Sequence, residues 1–476
     1  MKSVIRLCFI CLFTCIETQS IYSQKWDSVP GPFPGTNAIS VMYADANYLY
    51  VGGEFNKLQG IHTQGIARWN GVKWDSLGAG IDRLIMYDTS NWYPPHTYAM
   101  VPYHNKLYVG GESSSLGYIN APGIGTWDGT AWDSIKIQPF VDRDNISTGT
   151  VFALTVINNK LYMGGDFDTV AGERCIGIAC WNDTNWSSLN FPGGFSFHGI
   201  NAICEYQGSM YVAGHFAGYN GGVGEIMRYD NLGWHSVDTG IKGISDWINS
   251  MVVYNGELYV GGYFYQSDGN VGNCIQKWDG TKWTDVGGGT DYQIFNLIVY
   301  NNKLYAMGQL TKAGGVPADG IAEWDGTKWC SFAGKIANAG ITSSCIYKDS
   351  LYIGGGFATL STDTVYYLAE WTGGNYTDSC GVIIAGVNEI KEESADVKVY
   401  PNPSNGAFTF EINGLPTPYD QIQIYNVLGQ QVHQASVCSD NTQINLSDQP
   451  SGLYLYRIIT QTGNLVGEGK IVKDNL

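Results

Sequence analysis

One recurrence restricts this chain more than any other feature. A Leu-Tyr or closely related strand ending in glycine appears as YLYVGG (48–53), KLYVGG (106–111), KLYMGG (160–165), SMYVAG (209–214), ELYVGG (257–262), KLYAMG (303–308) and SLYIGG (350–355). The spacing averages about fifty residues, the period of four-stranded units that must stack on neighbours to bury their faces. The expectation is an all-β fold: a seven-bladed β-propeller over 24–381, followed by a small C-terminal β-sandwich.

Each copy decomposes into four short strands. The first is apolar nearly throughout, as in VFALTVI (151–157), INSMVVY (248–254) and IFNLIVY (294–300), and is predicted to be buried on both faces and to line the inside of the ring. Turns such as Asn255-Gly256 and Asn301-Asn302 lead into the Leu-Tyr strand. Its terminal Gly pair is read as permitting positive φ and close backbone approach. A loop then leads to a third strand, such as GIARW (65–69), and a fourth, such as KWDSL (73–77).

The last two strands carry the most regular signal. Asn70-Gly71, Asp128-Gly129, Asp279-Gly280 and Asp325-Gly326 lie between the Trp pairs 69/74, 127/132, 278/283 and 324/329. A symmetric hairpin puts the members of each pair opposite one another on one face, where they can pack between blades. Tyr229 and Tyr376 are read as taking the Trp place in two copies. The apolar strand, the Gly pair and the two aromatics across the last hairpin resemble the kelch-type propeller repeat, with a shorter final turn than ordinary kelch repeats have. That resemblance implies fold alone, since such rings carry enzymes, adhesins and scaffolds.

KWDSV (25–29) repeats the fourth-strand pattern ahead of the first full unit. It is expected to pair into the last blade and close the ring, removing an exposed sheet edge. NYTDS (375–379) is the competing candidate for that place.

At the N-terminus, Lys2 and Arg6 precede the apolar run 7–16, and small or polar residues lead to Ser23-Gln24, the order of a secretory signal peptide over 1–23. The run is too short to span a bilayer, and no transmembrane segment is expected. Leu12-Phe13-Thr14-Cys15 offers a lipoprotein alternative. Export permits disulfides among Cys175, Cys180, Cys204, Cys274, Cys330, Cys345, Cys380 and Cys438, whose pairing the sequence leaves open.

The pattern changes near Gly381. Residues 382–396 read as a linker, and 397–476 carry alternating strands without the Gly-Gly repeat. The tail contains Tyr400-Pro401-Asn402-Pro403, Gly406 and Phe408, then Tyr425, Leu428-Gly429 and Val432, then Ser451-Gly452, Tyr454 and Lys470. It resembles the type A C-terminal sorting domain of the type IX secretion system of Bacteroidota, with Asn426 at a place that is often acidic. The resemblance implies that the machinery of that system is a partner and that the destination is the medium or the outer-membrane surface. It also implies that Tyr400, Pro401, Asn402, Pro403, Gly406, Gly429, Gly452, Tyr454 and Lys470 are signal rather than catalyst.

No catalytic signature stands out. A net charge of -17 argues against nucleic-acid binding. The seven His form no HExxH or equivalent metal spacing, no P-loop or GxSxG is present, and neither cofactor nor metal is expected. A ligand would meet the face carrying the variable segments 84–98, 139–145 and 191–198, which bring Trp92, Tyr93, Phe140, Asp142, Asp144, Phe195 and His198 to the rim. Aromatic faces beside carboxylates suit sugar CH surfaces and hydroxyls. Glu54, Glu112 and Asp166 follow the Gly pair in three consecutive copies, and converging there they could hold a cation or act as an acid/base set. The leading reading is a glycan- or protein-binding module; the alternatives are an extracellular glycan-active enzyme and a structural cell-surface component.

Overall fold

The computed structural model describes residues 26–30, 39–55, 57–82, 96–113, 115–116, 119–135, 137–138, 140–141, 149–192, 194–217, 226–238, 241–242, 247–332, 336–337, 340–357, 359–360, 363–372, 396–413, 421–427, 430–437, 441–459 and 465–474. The signal peptide, the linker up to 395, Tyr376 and the segment 375–379 lie outside them. The chain divides into two compact units, Met1–Val382 and Ile383–Leu476.

Within the first unit, the described residues form seven four-stranded antiparallel sheets, as expected of propeller blades, together with several smaller sheets. We number the seven as blades 1 to 7 in chain order. Blade 3 is representative, with strands Thr150–Ile157, Lys160–Asp166, Ile178–Trp181 and Trp186–Ser188. The first strand of each blade touches the first strand of the next, and Ile341–Tyr347 of blade 7 touches Ile39–Ala44 of blade 1, so the contacts form a closed cycle.

The closing strand is the amino-terminal one. Trp26–Ser28 pairs antiparallel with Leu368–Trp371 as the outer strand of blade 7, with Trp26 opposite Trp371. Trp26 is only 3% exposed and packs edge-on against Phe332 and tilted against Trp371. Trp26 is therefore the aromatic that pairs with Trp371 in the last blade.

Among the described residues, seven hydrophobic cores lie between adjacent blades, each formed by residues of two blades. The Leu-Tyr strand is buried along its length, whereas the first strand is only half-buried along one side. The expectation that the first strand is covered on both faces is thus corrected: one of its faces looks into the space at the centre of the ring.

The Gly pairs have a reason different from the one expected. None of the Leu-Tyr glycines adopts positive φ. The second glycine lies opposite a β-bulge, and a Cβ there would come within 2.0 Å of the carbonyl oxygen of His96 at Gly111, of Thr150 at Gly165 and of Trp247 at Gly262. The first faces the next blade, where a Cβ at Gly164 would meet Ile200 at 2.8 Å. Close approach alone explains both. Ala213 and Met307 stand at the first position in two blades, while the second position is Gly in all seven.

Two sets of hydrogen bonds staple neighbouring blades. The fourth-strand Trp Nε1 donates backwards, from Trp132 to Leu77 O at 2.7 Å and from Trp329 to Val286 O at 2.7 Å. The Tyr ending a first strand donates forwards to the next blade's turn, from Tyr254 to Asn302 O at 3.1 Å and, across the closure, from Tyr347 to Asn47 O at 2.8 Å. The Trp pairs face one another as predicted, Trp69 with Trp74 and Trp278 with Trp283. In the turn between them, Asp128 Oδ1 accepts from the backbone N–H of Thr130 and Ala131 at 2.8 Å each. These turns hold the strand ends in a shape that short polar side chains can fix locally.

The second unit contains a three-stranded and a four-stranded antiparallel sheet sharing one core that includes Phe408, Phe410, Ile424, Ile444, Tyr456 and Ile471. Asn402 joins its first turn to its last strand, its Nδ2 donating to Lys470 O at 3.0 Å and its Oδ1 accepting from Val472 N at 2.8 Å. Gly406 has φ +125, where a Cβ would press on Ser447, and the buried Tyr454 donates to Pro450 O at 2.6 Å. Tyr400 is half-exposed and Lys470 is exposed; Pro401 and Pro403 follow cis peptide bonds, Gly452 opens the strand Gly452–Ile459, and Gly429 lies outside the described residues. No helix among the described residues is long and apolar enough to cross a membrane.

Candidate functional site

The centre of the ring is built by a defect repeated seven times. In every blade the first strand carries one extra residue opposite its Gly position: Ser40, Tyr98, Phe152, Asn201, Asn249, Phe295 and Thr342, in chain order. A bulge re-aims one side chain without ending the pairing. The preceding residue is Ile or Val in six blades and Thr97 in the other, and all seven are buried. The extra residues are all half-buried and together line a cavity of about 420 Å³.

The mouth is set by the residue after each Gly position and its neighbours on the adjoining strand. On the side of blades 1 and 2, His96 Nδ1 lies 3.2 Å from Glu54 Oε1, and His96 stacks on Tyr98 with centroids 5.7 Å apart. Glu112 pairs with His96 across the strands. Burial, followed by the negative charges of Glu112 and Glu54, pushes the Tyr98 hydroxyl well above its ordinary range. Asp166 holds the equivalent place in blade 3 and pairs with Thr150.

Across the ring, blades 4 and 5 present aromatics. His215 meets Trp247 edge-on at 6.2 Å, Trp247 lies 5.8 Å from Tyr263, and Tyr263 in turn meets Tyr265 at 5.2 Å and Tyr292 at 5.9 Å. Tyr292 is 43% exposed, and Trp247 and Tyr263 are half-buried. Blade 6 adds an amide pair, Gln293 Nε2 donating to Gln309 Oε1 at 3.2 Å. One mouth thus has an acidic arc, an aromatic arc and an amide arc.

Several sequence expectations change against this geometry. Phe140 is 2% exposed, packed against Phe167 and beneath Gly123 and Gly149, so it belongs to the core between blades 2 and 3 and not to the rim. The loops after the Gly pairs are in several blades two-residue strands, as in Lys57–Leu58 with Ile61–His62. Phe195 and His198 lie on the strand Gly194–Tyr206, with their side chains outside the described residues, as are Trp92, Tyr93, Asp142 and Asp144. Glu54, Glu112 and Asp166 follow their Gly positions as expected, but among the described residues no group of three acidic, His or Cys side chains is close enough to hold a metal ion. The cation reading of that trio is therefore corrected. Trp247 and Tyr292 were missed because neither belongs to the repeated motif.

Cys330 is disulfide-bonded, while Cys175, Cys180, Cys204, Cys274 and Cys345 are thiols. Burial alone pushes Cys345 up to about 12, which leaves it a poor nucleophile near neutrality.

Comparison with known proteins assigns the tail. Residues 398–474 match the secretion system C-terminal sorting domain. The chain is therefore cargo of the type IX secretion machinery, secreted or held at the cell surface. No curated protein matches the sequence. Among solved structures, it is similar to PorZ, described as an essential bacterial surface component of the type-IX secretion system of Porphyromonas gingivalis, at 15% identity and a TM-score of 0.44, covering 93% of this chain and 60% of that one. It is also similar to the extracellular domain of BT4673 from B. thetaiotaomicron, at 13% identity and a TM-score of 0.45, covering 94% of this chain and 59% of that one. The chain thus spans about three fifths of each of those proteins.

Proposed function

We propose that the first unit is a seven-bladed, kelch-like propeller that binds an extracellular glycan at the mouth of its ring, and that the tail delivers it there through the type IX route. The observation carrying this reading is the division of the mouth into an aromatic arc, Trp247, Tyr263 and Tyr292, and an acidic arc, Glu54, Glu112 and Asp166. Partly exposed rings offer flat apolar area to the CH faces of a sugar, and carboxylates accept from its hydroxyls. The segments bearing Trp92 and Tyr93, Asp142 and Asp144, and Phe195 and His198 enter the same reading as flanking contacts.

Binding of the full chain to an array of plant, microbial and host glycans tests the proposal, with each hit assayed for new reducing ends. Saturable binding without product, weakened at least about tenfold by Trp247→Ala with Tyr263→Ala, is the expected result, equivalent to about 1.4 kcal/mol. Product formation would replace the binder with a glycan-active enzyme. Binding to protein but to no glycan would move the site's ligand to another class.

A further inference from the structure

The cavity beneath the mouth has a chemistry of its own. Among the described residues its walls carry no charged side chain. Tyr98 and Phe152, contributed by adjacent blades, meet edge-on at 5.4 Å and form an apolar wall. The next two blades supply Asn201 and Asn249, whose side-chain amides are fixed from behind: Asn201 Nδ2 donates to Ile248 O at 3.3 Å and Asn249 Nδ2 donates to Ile294 O at 2.8 Å. A carbonyl oxygen only accepts, so the nitrogen of each amide must face it. The two Oδ1 atoms have no hydrogen-bond partner among the described residues, which leaves two neighbouring acceptors beside an aromatic wall. The seven blades differ in side-chain character at these bulged positions, while the residues before them stay almost uniform.

We propose that this cavity takes the uncharged terminal sugar of a glycan end-on, with a CH face against Tyr98 and Phe152 and hydroxyls donated to Asn201 and Asn249 Oδ1. The inference rests on the glycan reading of the mouth and adds to it the class of residue recognised and the direction of entry. An anionic terminal sugar is excluded twice. It would pass Glu54 and Glu112, and it would then be buried without a counter-charge. The volume of about 420 Å³ lies within the range of roughly 300–1,000 Å³ that small-molecule sites occupy.

Saturation-transfer NMR on the full chain, with neutral hexoses, pentoses and their short oligomers as probes, reads which sugar ring lies against the protein. The strongest transfer is expected on the non-reducing terminal ring. Asn201→Leu with Asn249→Leu, and separately Phe152→Trp, should each weaken binding at least tenfold. Phe152→Trp leaves both amide bonds in place, so it decides the matter if the double variant does not fold. Oligomer binding that is lost with Trp247→Ala and Tyr263→Ala but unchanged by the cavity variants would overturn this inference and leave the mouth intact. Transfer confined to internal rings would overturn it as well. If the wild-type chain binds charged glycans but no neutral sugar, this inference falls and the glycan reading of the mouth stands; if it binds no glycan at all, both fall.

Discussion

The two units use the same antiparallel pairing but distribute stability in opposite ways. The first spreads its apolar burial over seven cores, each shared by two blades, and joins them with staples from Trp and Tyr side chains. The second gathers its burial into one core between two sheets. A repeat array is a sum of neighbour interfaces, and without closure it frays from its ends. Here the Trp26 strand turns that sum into a cycle with no end blade. The lesson is that repetition relaxes the demand on any single core, while closure restores cooperativity.

The strongest way to break this contrast is at a bulge. Gly262→Ala puts a Cβ 2.0 Å from Trp247 O, and the loss should exceed about 4 kcal/mol, confined to the ring's calorimetric transition. Phe410→Ala in the tail should cost about 3–5 kcal/mol and move only the tail's transition. Trp26→Ala should cost about 3–5 kcal/mol and broaden the ring's transition, because it opens the cycle as well as emptying a core site. If that transition stays equally sharp, closure is not the source of cooperativity. Tyr347→Phe removes only the staple to Asn47 O and should cost about 1 kcal/mol, measured by denaturant midpoint at unchanged m.

The smallest effect is set by pH. Backbone N–H groups of Ala131 and Thr130 and the Thr130 hydroxyl hold Asp128 down at about 2, and the Thr281 hydroxyl with the backbone N–H of Lys282 and Thr281 does the same for Asp279. A depressed folded-state carboxyl stabilises above its ordinary value of 3.8, and that contribution is lost as pH falls from there through about 2. Asp128→Asn with Asp279→Asn should flatten the fall in melting temperature across that window. Asn70 and Asn182 already make the corresponding turn bonds in other blades, so the neutral amide fits the geometry.

Most of the architecture was legible because its signals are local and repeated. The Asn-Gly turns, the Trp pairs and the KWDSV strand each follow from spacing or short motifs. The bulges were not, because an added residue in an apolar strand leaves no gap in the pattern, and Phe152 reads like its neighbours although it is the bulged residue that lines the cavity. Polarity hid Asn441–Asn445, a strand of the tail whose sequence, NTQIN, lacks an apolar run. Phe140 misled for the opposite reason: a large aromatic beside a variable segment looks like a rim residue until the pairing of Phe140–Val141 with the distant Thr169–Val170 folds it inward. Half of the mouth was visible through the residues following each Gly, and the other half, Trp247 and Tyr292, lies just ahead of the apolar cores of the first strands, where the repeat leaves the residue type open.

The amino-terminal origin of the closing strand also fixes an order of events. Trp26 emerges first from any machinery that handles the chain from its beginning, yet its partner Trp371 emerges only after all the other blades. Until then the growing array keeps two open flanks, and its oldest segment waits as an unpaired ribbon. The ring can therefore be completed only once the whole repeat region is free on one side of a barrier, so a chain halted midway through export is always an unfinished one.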